Sequence, residues 1–294
     1  MFDTIIVLPE GNDPTQPALA RAALCAASAS RVVVLDAVHE PLLDGYAGNT
    51  AMYEPLRQRV LAERRERAES LAAVLARRGI QSSGISVWAA RREDAVAEYA
   101  RSGRVDLVVT APLGGGRGGL SSSDWRLLAT SPAPVLMVKE PGVRQYRKIV
   151  AAVDPFHAHA KPAALDPGIL AAAARLQAQT SASLTVLHCH PPAGPAGVDP
   201  AHSPKASQPD AIEPERRRAL TGLLRDAGLP ESAARVVPGA PHTVIQTMVD
   251  GGEADVIVMG ALARGRIQEW LIGNTAERVL HRAGVDVLAV NPAR

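Results

Sequence analysis

Cysteine is nearly missing from this chain. Cys25 and Cys189 are its two, far apart and outside any CxxC pair, so no disulfide framework is written into the sequence. Both lie in apolar context and read as reduced, buried thiols. No surplus of one charge exists either: 32 Lys and Arg face 30 Asp and Glu, a formal net charge of +2. That balance gives no electrostatic reason to expect nucleic acid or an anionic membrane as partner. No apolar run is long enough to span a bilayer. The opening Met1-Phe2-Asp3-Thr4 runs straight into an apolar strand without the basic and apolar stretches of a secretory leader, which makes the cytoplasm the expected compartment. The sequence also lacks HExxH, a Walker lysine and a Ser/His/Asp arrangement in recognisable context, so no catalytic set emerges.

What is present is a repeat. The first half opens with Ile5-Ile6-Val7-Leu8-Pro9-Glu10 and the second with Ile149-Val150-Ala151-Ala152-Val153-Asp154, two segments that align without a gap. Four further pairs follow in the same order: Arg31–Asp36 with Ser183–His188, Ile85–Trp88 with Ala234–Val237, Val105–Val109 with Ala254–Val258, and Pro134–Val138 with Asp286–Val290. Short, almost continuous Val- and Ile-rich runs are expected to be strands buried on both faces. Helical patterns lie between them: Ala18 to Ala29, Ile169 to Gln179, and the long charged stretch Leu56 to Arg78, where Glu63 and Arg67 are spaced to pair on one helix face. The run Arg64-Arg65-Glu66-Arg67 reads as a solvated face of that helix.

Strand–helix alternation with short links predicts βαβ units and a parallel sheet in each half. Pro141-Gly142 breaks the chain between the halves, giving domains over 1–143 and 144–294. The Pro-, Gly- and Ser-rich segment Pro191 to Pro214 reads as a mobile insertion. In such folds ligands bind beyond the carboxyl ends of the strands, where strand order reverses.

After the fourth predicted strand the second half reads Gly260-Ala261-Leu262-Ala263-Arg264-Gly265 and, further on, Gly273-Asn274-Thr275-Ala276-Glu277. This stretch resembles the Gly-x2-Gly-x9-Gly-(Ser/Thr) loop of nucleotide-binding universal stress proteins. Gly260 and Gly273 keep the family's separation, Ala263 replaces the second glycine, Asn274 replaces the Ser/Thr, Thr275 falls one position late and Gly265 two late. The Gly273 to Glu277 string and Asp124-Trp125-Arg126-Leu127-Leu128 in the first half are similar to the tandem, E-type members of that superfamily. The resemblance covers essentially the whole chain. It implies an α/β chain of two tandem five-stranded parallel-sheet domains of the adenine nucleotide alpha-hydrolase-like, Rossmann type, paired as an intramolecular pseudo-dimer, with a homodimer as a further assembly. It also implies a cytosolic stress-response and survival role without enzymatic activity, and ATP or AMP as candidate ligand. Asp154 matches the family position that faces adenosine, Cys189 one whose backbone meets adenine, and Arg264 could touch a phosphate. Alternatives left open are a ligand-free interaction protein and a slow ATPase.

The first half departs from the loop pattern. Ala111 stands for its first glycine, and Asp124 and Trp125 for its Gly-(Ser/Thr) pair, while Gly114 survives. A carboxylate there would repel phosphate, and Asp124 reads as a helix N-cap. The first half is therefore expected to be a degenerate site. A separate histidine constellation, His157 and His159 with His188 and His190, lies on two neighbouring segments. It could hold Zn²⁺ if three rings converged, although Cys189 points to the opposite face and a structural role for His188 is favoured.

Overall fold

The computed structural model describes residues 1–11, 15–46, 48–113, 119–140, 142, 145–156, 165–191, 209–264 and 270–292. The chain divides into two compact units, Met1–Gln145 and Tyr146–Arg294. His157, His159, Gly265, Gly114 and most of the predicted insertion fall outside the described residues.

The first unit runs β1 (Thr4–Val7), α1 (Pro17–Cys25), β2 (Arg31–Val38), α2 (Pro41–Asp44), α3 (Thr50–Ala76), β3 (Gln81–Trp88), α4 (Arg92–Ser102), β4 (Leu107–Thr110), α5 (Ser122–Thr130) and β5 (Val135–Met137). Its strands pair in parallel in the order β3-β2-β1-β4-β5. The second unit runs β6 (Lys148–Ala152), α6 (Leu165–Thr180), β7 (Ser183–His190), α7 (Pro209–Asp226), β8 (Ala234–Pro238), α8 (Pro241–Asp250), β9 (Val256–Gly260), β10 (Leu262–Arg264), β11 (Trp270–Ile272), α9 (Asn274–Arg282) and β12 (Asp286–Val290). Here the parallel order is β12-β9-β6-β7-β8, and β10 and β11 form a separate antiparallel hairpin. Each unit thus carries the same five-stranded order, reversing between its first and fourth strands.

The apolar runs that mark the strands are buried on both faces. Ile5, Ile6, Val7, Val108 and Val109 in the first unit, and Val150, Val256, Ile257 and Val258 in the second, are shut away from water because helices cover both sides of the sheet. Boundaries moved where side chains compete with the backbone. α1 ends at Cys25, short of the expected Ala29, because the Ser30 hydroxyl accepts from the Ala27 N–H at 2.9 Å and donates to the Phe2 carbonyl at 2.5 Å, ordering a turn instead. Pro209 to Pro214, expected within the insertion, belongs to α7.

α3 and β3 depart furthest from the expected pattern. The expected Glu63–Arg67 pair does not form: Glu63 pairs with Arg59 at 3.4 Å, while Arg67 turns to Asp36 at 3.7 Å. β3 extends over eight residues instead of the four expected, beginning in the polar Gln81-Ser82-Ser83-Gly84. Its serines are satisfied by the helix lying on it, Ser82 Oγ donating to the Ala72 carbonyl and Ser86 Oγ to that of Leu61, both at 2.8 Å. At Gly84 the two backbones meet: a Cβ there would lie 2.2 Å from both the Ala68 carbonyl carbon and the Glu69 nitrogen. Neither neighbour is a side chain that could swing away. Gly84→Ala is expected to lower stability by about 1–3 kcal/mol, the usual range for overpacking, or more, read as a drop in the urea midpoint. In the second unit the Tyr146 hydroxyl donates to Asp286 Oδ2 at 2.5 Å with both side chains fully buried. Tyr146→Phe should cost about 1.5–3 kcal/mol, the range for a hydrogen bond to a charged partner, in the same measurement.

Candidate ligand sites of the two halves

Three positions converge on the carboxyl ends of the strands in each unit: the residue following the first strand, the end of the second strand, and the helix that follows the fourth. In the first half each is engaged by the protein's own side chains. Glu10, which aligns with Asp154, accepts the Ala18 N–H of α1 at 3.0 Å through Oε1, and its carbonyl accepts from Gln16 at 2.8 Å. Asp36, near the end of β2, is met from α3 by Arg64, with Nη2 donating to Oδ1 at 3.1 Å and Nε 3.0 Å from Oδ2. Burial pushes the Asp36 carboxyl above its ordinary pKa, against the opposing pull of Arg64 and Arg67. Arg64 and Arg67 are therefore not a solvated face; their heads reach over the sheet.

The third position is closed most completely. Asp124 is fully buried. Its Oδ1 accepts from Arg92 Nη2, and its Oδ2 accepts from the N–H groups of Ser121 at 2.6 Å and Leu113 at 3.4 Å. Arg92 also donates to Thr110 Oγ1 at 3.0 Å. Ser121, not Asp124, is the N-cap of α5; Asp124 sits three residues on and completes a capping box with it. An acidic group at that place offsets the positive end of the helix and uses the N–H donors a ligand anion would need.

The second half is built from different chemistry. Asp154 lies two residues beyond β6. Its N–H donates to both oxygens of the buried Asp166 at 3.3 Å, and its own Oδ1 accepts from the Phe156 N–H at 3.3 Å. Gly260 is the last residue of β9, in register with Val290, and not part of an open loop. A Cβ on it would lie 2.7 Å from Leu165 Cδ2, so its smallness already serves the packing of α6. Ala261 donates to the Val290 carbonyl at 3.1 Å and accepts the Gly273 N–H at 3.0 Å, drawing the two ends of the motif together. Ala263 and Arg264 lie in β10, paired with Leu271 and Trp270 of β11, which replaces the expected loop by a hairpin. Gly273 is the N-cap of α9 and offers no side chain to the helix; Asn274, its first residue, is exposed and Thr275 half-buried.

At the end of β7 both described histidines are buried and turned to the backbone. His188 Nδ1 donates to the Val153 carbonyl at 3.3 Å, and His190 Nδ1 lies 2.8 Å from the Pro191 carbonyl. With Nδ1 donating, His188 Nε2 is left to accept, and Arg216 Nη1 of α7 donates to it at 3.1 Å. The Arg216 guanidinium lies 5.0 Å from the centroid of the Phe156 ring, itself 5.6 Å from the His188 ring. Arg216 and Phe156 did not stand out in the sequence. The signal was there: Arg64 follows Asp36 by 28 residues, and Arg216 follows His188 by 28. Cys189 between the histidines is half-buried, not buried as expected, and burial pushes its thiol up to about 11, so it stays protonated at neutral pH. Among the described residues no three His, Cys, Asp or Glu side chains are grouped to hold a metal ion, and no helix is long and apolar enough to cross a membrane.

Burial holds the His188 pKa below its ordinary value, with Arg216 and His190 acting in the same direction and the Val153 carbonyl and Asp154 against it. The unfolded chain therefore takes up this proton first as pH falls. The stability His188 contributes is complete above about pH 6.5, its unfolded value, and is lost as pH drops below it. Urea unfolding of the wild type between pH 7.5 and 5 should show that loss, and His188→Gln should flatten the slope over this window whatever its effect on absolute stability.

Comparison with known proteins agrees with this duplicated architecture. The chain is 26% identical over 308 aligned residues to universal stress protein E of Escherichia coli K12, covering 99% of this chain and 95% of that protein. A crystal structure of a functionally unknown protein from Pseudomonas aeruginosa PAO1 is 25% identical and superposes with a TM-score of 0.72, covering 99% of this chain and 93% of that one. A universal stress protein from Archaeoglobus fulgidus shares the fold, with a TM-score of 0.63 at 18% identity and 98% of each chain covered. The profile of the universal stress protein family matches residues 1–139 and again 145–291, and the chain belongs to that family as two copies of its domain in tandem.

Proposed function

We propose that the second half binds a small ligand, with an adenine nucleotide (ATP or AMP) as first candidate, and that the protein acts as a cytoplasmic, non-enzymatic stress-response factor. The observation that carries this reading is the contrast between corresponding helix starts. α5 begins over the buried Asp124 carboxylate and its arginine. α9 begins at Gly273 with no side-chain cap and an exposed Asn274, so its first N–H groups have no side-chain acceptor from Gly273. Helix starts of that kind favour phosphate. Asp154 borders the same crevice at the switch point between β6 and β9. A ligand-free interaction role is favoured in the first half alone, where Glu10, Asp36 and Asp124 each have internal partners. Two copies of one domain in a single chain support an intramolecular pseudo-dimer. The non-enzymatic part of the proposal is checked by incubating the protein with ATP and assaying released phosphate, which should not exceed the uncatalysed background.

Ligand binding is expected to appear as ligand-linked stabilisation. At roughly a hundred times Kd, ATP or AMP should add about 2.7 kcal/mol to the stability of the second half. Asp154→Ala should remove most of that increment. Asp124→Asn should leave it intact although it weakens the first half. Melting curves at millimolar nucleotide that do not move would remove the nucleotide reading. Gly260→Val is unsuited to the purpose, because its side chain would collide with Leu165.

A further inference from the structure

The two halves deliver an arginine to the same strand position and then treat it differently. In the first half Asp36 accepts it: Arg64 Nη2 and Nε both lie within 3.1 Å of the carboxylate, and Arg67 approaches to 3.7 Å. In the second half the residue at that position of the repeat is His188, and the arginine reaching it, at the same 28-residue interval, is Arg216. A neutral imidazole accepts one hydrogen bond and cancels no charge. Among the described residues Arg216 Nε is buried without a hydrogen-bond partner, as are Arg64 Nε and Arg92 Nε in the first half, where a carboxylate faces each guanidinium. Among the described residues no carboxylate forms an ion pair with Arg216. Its guanidinium is held in place by the His188 contact and by the partly exposed face of Phe156. A buried donor without an acceptor is costly in a folded protein, and a guanidinium that faces no carboxylate among the described residues has planar donors free to take an oxyanion from outside the chain.

We propose that Arg216 is the anion-recognition residue of the second half, engaging an oxyanion group of a ligand at the carboxyl ends of β6 and β7, and that the exchange of a carboxylate for His188 at this repeat position confines that ability to the second half. The ligand class is a small molecule bearing phosphate or a comparable oxyanion. This deepens the reading of the second half as a ligand-binding domain and rests on it for location. The anion itself does not have to belong to a nucleotide. The guanidinium provides planar paired N–H donors suited to a phosphate oxygen edge. His188 acts as a positioning residue: it holds Arg216 by one hydrogen bond without neutralising it.

Titration calorimetry at pH 7.5 on the full-length protein tests this with three probes: inorganic phosphate, AMP and adenosine. The wild type should bind AMP about tenfold or more tightly than adenosine, the scale of one charge-assisted hydrogen bond. Arg216→Gln should bring AMP down to the level of adenosine, and Arg216→Lys should keep part of the difference. His188→Asp is the decisive variant, because it rebuilds the first-half pair around an intact arginine. It should lose the preference for AMP while circular dichroism and melting show a folded chain. A preference for AMP that survives both Arg216→Gln and His188→Asp overturns the proposal and leaves the nucleotide reading standing. Equal affinities for AMP and adenosine in the wild type do the same. Arg216-dependent binding of phosphate with no binding of either adenosine or AMP sustains the proposal and removes the nucleotide reading. No binding of any of the three probes overturns both.

Discussion

A charge taken out of water must be met by another, and the first half of this chain is arranged around that requirement. Asp36 and Asp124 are both buried, and each is answered by arginine from a helix packed against the sheet, Arg64 and Arg67 in one case and Arg92 in the other. Such pairs contribute little net stability, since desolvation offsets most of the attraction. Removing one partner is different: an uncompensated buried ion costs about 3–5 kcal/mol. The pairs are therefore hard to open, and what they occupy stays occupied. In the first half they occupy the strand-two end and the start of the helix after strand four, two of the places where this fold receives ligands.

The second half has the same strand order and neither carboxylate. Ala276, three residues past the Gly273 N-cap of α9, stands where Asp124 stands past the Ser121 N-cap of α5, and His188 stands where Asp36 stands. Each exchange removes a buried carboxylate from the strand ends, and one arginine, Arg216, reaches the position where Arg64 and Arg67 meet Asp36.

Much of the architecture was legible in the sequence, because buried parallel strands announce themselves as apolar runs and a duplicated order announces a duplicated domain. The five strand pairs and the α/β class follow from those two signals. β3 was half missed because Gln81, Ser82, Ser83 and Gly84 look like a turn; only with α3 in place do the Ser82 hydroxyl and the bare Gly84 have a reason to be there. The site was less legible. Motif reasoning put weight on Ala263 and Arg264, which the structure places in a hairpin strand, and on Gly260, which a leucine contact already explains. The arginines were read as a wet helix face because charge runs usually are. Their role depends on which residue ends the neighbouring strand, and that is information about two segments at once. A comparison of the two halves at a fixed interval, 28 residues from Asp36 and from His188, carries it.

Duplication within one chain gives these differences a consequence for stability. On the proposed reading, a half whose strand ends are met by its own side chains gains no stability from a small anion. If the second half takes an anion at Arg216 as proposed, its stability rises with the concentration of that ligand, by RT ln(1 + [L]/Kd). Protonation acts on the same half, since acid turns His188 from an acceptor for Arg216 into a second cation beside it. On that proposal ligand and pH converge on one arginine, held at a repeat position where the two copies differ by a carboxylate.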